Sequence, residues 1–163
     1  MVPQTRPTLM AGLASIVLCL IVDQTSKAII LANSAALSAG IPVFPGFDLV
    51  IVRNDGVTFG FLSGVPWWSL VVLAFAIISW LAVLLFRTSS SIEAVALGAI
   101  IGGALGNSAD RLRYRTVTDF LDIYIGSAHW PVFNMADVFV VSGVATLLFA
   151  PLLRTERTRG NQR

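Results

Sequence analysis

Apolar runs organise this chain. Four stretches, about 9–32, 67–86, 92–110 and 136–153, approach the roughly 20 apolar residues that a helix needs to cross a bilayer. The second, WWSLVVLAFAIISWLAVLLF, has no charge and opens on Trp67 and Trp68, which suit the headgroup level. It predicts a plain lipid-facing span. The short link RTSSSIE makes the second and third helices antiparallel neighbours. The first run follows Arg6 as a signal peptide would, but no small-x-small cleavage site follows it, and Asp23 and Lys27 interrupt it, so it reads as a retained helix. The residues before Cys19 are too bulky for a lipid-attachment site. The last run, FNMADVFVVSGVATLLFAPLL, starts wrongly for a span: Asn134 and Asp137 stand one turn apart at its head, where a carboxylate is costly to hold in hydrocarbon.

Composition agrees with the runs. Of 163 residues, 56% are hydrophobic and 12% charged, with mean hydropathy +0.81, a balance no soluble domain of this size needs. The expectation is one integral membrane domain over 1–163, mainly α, with four transmembrane helices. A single cysteine excludes disulfides, and one histidine, His129, gives no metal-ligand pattern, so neither metal nor cofactor is expected. Net charge +2 comes largely from terminal arginines, with no basic stripe interleaved with stacking aromatics, which excludes nucleic acid as a partner. Arg6, Arg87, Arg154, Arg157, Arg159 and Arg163 fall at one set of helix ends; Lys27, Arg53, Arg111, Arg113 and Arg115 fall at the other. Discounting Lys27 and Arg111 as parts of a site tilts both termini, with a tail 154–163, toward the cytoplasm.

The opposite side then receives 33–66 and 111–135. In the first, two β-prone runs flank NDG, a hairpin-turn signal. The second holds the strand-like VTDFLDIYIGSAHWPVF, in which His129 reads as an interfacial loop residue. Together they predict a small β cradle on the membrane surface.

Counting crossings puts Asp23, Asp110, Asp119 and Asp137, four of the seven aspartates, on one side. Asp23 and Lys27 stand at i and i+4, with Ser26 on the same face; the pair either locks helix packing or serves the site. Gly98, Gly102 and Gly106 repeat every four residues and form a ridge for close helix approach, with Gly103 and Asn107 on an adjacent line. Asn107, Asp110 and Arg111 share one face at the membrane boundary. A hydrolase lacking metal ligands, a second histidine and a GxSxG elbow is left with paired carboxylates to activate water; held close, they cannot both ionise. Spacing does not choose between Asp119 and Asp122 as the partner of Asp137. Amides such as Asn107 and Asn134 suit positioning of peptide groups or stabilisation of an oxyanion. The alternative function, a small proton-coupled transporter or channel, predicts polar residues spread through the bilayer depth, whereas here they gather at one end.

DQTSK at 23–27, RNDGVTFG at 53–60, GGALGNSADR at 102–111, VTDF at 117–120 and FNMAD at 133–137 together resemble the lipoprotein signal peptidase (signal peptidase II) family, in that family's order and over nearly the whole chain. The resemblance implies an aspartic endopeptidase of the bacterial cytoplasmic (inner) membrane, with its site near the outer, periplasmic face. It implies removal of signal peptides from prolipoproteins by cleavage before the diacylglyceryl-modified cysteine, with membrane lipids around the site and inhibition by globomycin-type cyclic peptides. By the same match Asp119 and Asp137 are the catalytic pair, and Asp23, Lys27, Asn54, Gly103, Asn107, Asp110, Arg111 and Asn134 support the site or hold substrate. Ser108 and Ala109 depart from the family's bulky apolar pair, and Thr25 and Ser26 from its usual Leu or Ile then Thr.

Overall fold

The computed structural model describes residues 6–56 and 65–160, with side chains to Ala150. The chain runs α1 (Arg6–Ala32), α2 (Ser34–Leu37), β1 (Ile41–Phe44), β2 (Phe47–Asn54), α3 (Trp67–Arg87), α4 (Ser91–Tyr114), β3 (Val117–Ile125), β4 (Ala128–His129) and α5 (Met135–Gly160). The described residues therefore make a mainly helical protein with one small antiparallel sheet, ordered β1-β2-β3-β4. Three helices, α1, α3 and α4, are long and apolar enough to cross a membrane; the apolar part of α5, Met135–Ala150, is shorter.

Helix α4 is the hub. Over half of its apolar window, 56%, is buried, against 22% in α1 and in α3. Its glycines explain this position, because three of them let a neighbour approach to backbone distance. A Cβ on Gly98 or Gly102 would collide with the α1 carbonyls of Gly12 or Ile16, and one on Gly103 would collide with Ala136 O of α5. The ridge and its adjacent line thus serve two different partners. Opposite the ridge, Leu97, Ile100 and Ile101 pack with Ile78, Leu81 and Leu85 of α3, as the short 88–90 link requires. The outer face of α3 keeps Trp68, Val72, Phe75, Trp80 and Phe86 exposed, the pattern of a helix whose solvent is lipid.

Capping sets the ends of α4. Ser90 Oγ accepts from Glu93 N at the start, and Arg115 takes a left-handed conformation (φ 63°) at the end while its N–H returns to Arg111 O. That cap reverses the chain directly into β3. The sheet is fastened to the helices by a second cluster in which Ile30, Leu37 and Phe120 pack with Leu49, Ile51, Leu121 and Met135.

The sheet adds a hairpin that the sequence did not announce. The hairpin that forms turns at Pro45–Gly46, between β1 and β2, and β2 ends at Asn54, so NDG follows a strand. There Asn54 Oδ1 accepts from Gly56 N at 3.0 Å, the local turn that asparagine favours. The β-prone run after NDG lies in 57–64, outside the described residues. Helix α4 also runs on to Tyr114, beyond the expected end at 110, and the α5 backbone stays helical through Gly160, where a tail was expected from 154.

Candidate active site

At the head of α5 the sequence writes its own cap. Asn134 Oδ1 accepts from Asp137 N at 3.1 Å, and Asp137 Oδ2 accepts from Asn134 N at 3.2 Å, a reciprocal capping box. An aspartate in the first helical turn also faces the positive end of the helix dipole. The misplaced carboxylate of the last apolar run is thereby accommodated in the first turn of α5.

Asp119 reaches the same place from β3. Between Leu49 and Val52 of β2 lie two residues, but between their partners Leu121 and Asp119 lies only Phe120, so β2 is bulged there. Beyond the bulge Val52 stands opposite Asp119 and Asn54 opposite Val117, which puts Asn54 on the face of Asp119. Its Nδ2 donates to Asp119 Oδ2 at 2.9 Å. Arg53 falls on the other face, donating to Thr118 Oγ1 at 2.8 Å with its guanidinium over the Tyr114 ring.

One amide joins the two carboxylates. Asn134 is wholly buried, and its Nδ2 donates to Asp119 Oδ1 at 2.6 Å and to Asn107 Oδ1 at 3.1 Å. Asn107 Nδ2 in turn donates to Asp137 Oδ1 at 2.9 Å. Both aspartates, with Asn54, Gly56, Asn107 and Arg111, line the polar end of a cavity of about 230 Å³. Leu70, Leu73, Ala74 and Ile77 of α3, with Ala104 and Val140, give that cavity an apolar wall. Arg111 Nη2 donates to Gly56 O at 2.8 Å, while its buried Nε has no partner among the described residues.

The remaining expected residues form a layer beside this one. Lys27 pairs with Asp23 at 3.0 Å and Asp110 at 3.4 Å and donates to Asn107 Oδ1 at 3.0 Å. Gly106 leaves the room that Asp23 occupies, since a Cβ there would strike its carboxylate. Gln24 was missed by sequence reasoning although it lies inside the DQTSK block. Its Nε2 reaches Asp23, Asp110 and Gly106 O, and a lone amide within an apolar run was the available signal. Ser26 stands apart, its hydroxyl donating to Asp23 O in its own helix. Ser108 is likewise absorbed by Ala104 O, and Thr25 faces outward, so neither touches Asp119 or Asp137.

Asp122 separates from Asp119 by strand alternation. It lies opposite Asp48 on the other face and pairs with His129 Nδ1 at 2.9 Å, away from the cavity. His129 itself lies in β4, stacked on Tyr124.

Burial pushes the Asp119 carboxyl above the ordinary carboxylate range. The Asn54 hydrogen bond opposes this, the Asp137 charge adds to it, and the Asn134 bond and Lys27 charge oppose it. The folded state therefore favours protonated Asp119. Its contribution to stability is fully present below the ordinary carboxylate value and is lost as pH rises through the raised value. Thermal unfolding in detergent should accordingly show stability falling with pH across that window, with a flatter slope in Asp119→Asn. Equal slopes in both proteins would contradict the assignment of the raised group.

Apolar helices around a polar site define a multi-pass membrane protein of the enzyme type, its carboxylates gathered at one end of the helices. The match to the signal peptidase (SPase) II family runs over residues 15–153, and the chain belongs to that family. It is 40% identical to the lipoprotein signal peptidase of Nitratidesulfovibrio vulgaris (strain DP4), covering 93% of each chain. Identity is 41% to the lipoprotein signal peptidase of Beijerinckia indica subsp. indica, over 87% of each. It is also 41% to that of Rhodopseudomonas palustris (strain CGA009), over 90% of this chain and 94% of the relative. A solved bacterial membrane enzyme superposes with TM-score 0.79 at 28% identity, covering 95% of this chain and 93% of that one.

Proposed function

We propose that this signal peptidase is an aspartic endopeptidase in which Asp119 and Asp137 share one proton and one water, cutting prolipoproteins before the diacylglyceryl-modified cysteine. The observation that carries the reading is Asn134, whose one residue binds both carboxylates at the end of a half-apolar cavity. In the cleavage step the ionised aspartate takes a proton from the water as its oxygen attacks the scissile carbonyl. The protonated partner polarises that carbonyl and then gives its proton to the departing cysteine amine, so no covalent intermediate forms. Apolar residues of α3 suit the acyl chains of the substrate and of neighbouring lipids, and Arg111 and Asn54 suit peptide carbonyls. Asp23, Lys27, Gly103, Asn107, Asp110 and Asn134 hold the pair.

Topology follows the same reading. Four spans, with α5 as the last, bring both termini to the cytoplasm of a bacterial inner membrane and the sheet to its periplasmic face, all within a single domain. A globomycin-type cyclic peptide would occupy the cavity as a blocked substrate.

The test is release of the signal peptide from a purified prolipoprotein in detergent or liposomes, with and without the diacylglyceryl group. Cleavage of the lipidated form only, stopped by globomycin, is expected. Equal cleavage of both forms would remove the acyl chains from the recognition step.

A further inference from the structure

Beside the aspartate pair lie three charged side chains that touch neither member. Lys27, Asp23 and Asp110 are each at most 2% exposed, and the proposed reaction uses none of them directly. Each carboxylate accepts one backbone N–H from another element. Asp23 Oδ1 accepts from Ala136 N at 2.9 Å, and Asp110 Oδ2 accepts from Thr118 N at 2.9 Å. Ala136 immediately precedes Asp137, and Thr118 immediately precedes Asp119. The head of α5 is thus held by a side chain from α1, and the head of β3 by one from α4.

Lys27 ties these two props together. An ammonium has three N–H donors and no acceptor, and here all three directions are engaged: Asp23 Oδ2 at 3.0 Å, Asp110 Oδ2 at 3.4 Å and Asn107 Oδ1 at 3.0 Å. The third contact orients the amide that donates to Asp137 Oδ1. Gln24 Nε2 spans the same two carboxylates at 3.1 and 3.3 Å. We infer that Lys27 is a positioning residue that sets the spacing of Asp119 and Asp137 by clamping the carboxylates that hold Thr118 N and Ala136 N.

The physical reason is geometric. Two like charges from different helices would separate in a buried layer unless a cation sat between them, and their separation would carry β3 and α5 apart. A shared proton and a shared water tolerate little change in spacing: a misplacement of about 1 Å costs on the order of 100-fold in rate. An alternative role for α1, simple helix packing, needs neither of the two backbone acceptances. The inference rests on the aspartate-pair reading of the site.

Three variants test it in the lipidated prolipoprotein assay. Lys27→Met should lower kcat about 100-fold with KM within about threefold, measured on the folded fraction. Asp23→Asn/Lys27→Met/Asp110→Asn removes the charges and keeps an acceptor oxygen for Ala136 N and Thr118 N, so kcat should return to within about tenfold of wild type. This triple variant decides the matter should Lys27→Met fail to fold. Wild-type kcat in folded Lys27→Met, or a triple variant that melts like wild type yet cleaves at under about a hundredth of its rate, would overturn the positioning role. Asp119→Asn is assayed beside them. Cleavage by that variant would overturn the aspartate pair itself, whereas its silence together with a fully active Lys27→Met overturns the clamp alone.

Discussion

Asp119→Asn and Asp137→Asn should each lower signal-peptide release by about 10²–10⁴-fold, the span general acid–base catalysis contributes, while the protein remains folded. Each substitution keeps shape and removes proton exchange. In Asp119→Asn one amide oxygen remains for Asn54 or Asn134, but the new NH₂ faces the other donor, a mismatch worth about 1–3 kcal/mol. Against that, the variant no longer holds an ionisable group at a site 2% exposed, so the net change in stability is small. In Asp137→Asn the amide oxygen can still accept from Asn134 N, and the backbone N–H of residue 137 still donates to Asn134 Oδ1, so both bonds of the capping box are retained. Loss of activity at preserved melting temperature therefore separates chemistry from folding. The two changes are also non-additive on this mechanism: the double variant should be no worse than the poorer single one, because one aspartate without its partner has no proton to share. Release at more than about a tenth of the wild-type rate in either single variant would sink the pair.

How much of this was legible beforehand differs by element. The α3 span was readable because composition alone specifies it: twenty apolar or weakly polar residues have only lipid as a consistent solvent. The glycine ridge was readable as a packing device because a four-residue period names a helix face, yet the period did not say which helix would arrive. That depends on bundle topology, which sends Gly98, Gly102 and Gly106 to α1 and Gly103 to α5. The choice of Asp119 over Asp122 was opaque to spacing, since both lie in one connecting segment. Strand alternation would have separated their faces, but nothing in the sequence marked which face looked toward α5. The NDG signal was silent about the site for a related reason. Asn54 does make its local turn with Gly56, but the ladder partner of β2 toward the site is β3, more than sixty residues on, and turn chemistry carries no information about such a partner. Gln24 was hidden by its neighbours, because a neutral amide adjoining Asp23 contributes nothing to a count of charges even though it spans two of them.

Asn134→Ala should damage both stability and rate although the residue exchanges no proton, because that side chain serves two functions at once. As the cap of α5 its Oδ1 accepts from Asp137 N, and losing a cap costs about 1 kcal/mol. As a tether its Nδ2 reaches Asp119 at 2.6 Å and Asn107 at 3.1 Å, so alanine strips a donor from a buried carboxylate as well. Together the losses should lower stability by about 1–3 kcal/mol and kcat on the order of 100-fold. Asn134→Ser separates the two functions. Serine is as good an N-cap as asparagine but too short and too poor in donors to span Asp119 and Asn107, so it should recover the cap's share of the melting temperature without recovering kcat. If serine restores both, the cap alone places Asp137 and the tether is dispensable; if it restores neither, stability and rate depend on the same contact. The expected split, stability returning and rate not, would show that the opening peculiarity of the last apolar run has two causes. The aspartate stands there because a helix start accommodates it, and the asparagine before it is needed because a second carboxylate must be held in register across 15 residues of sequence.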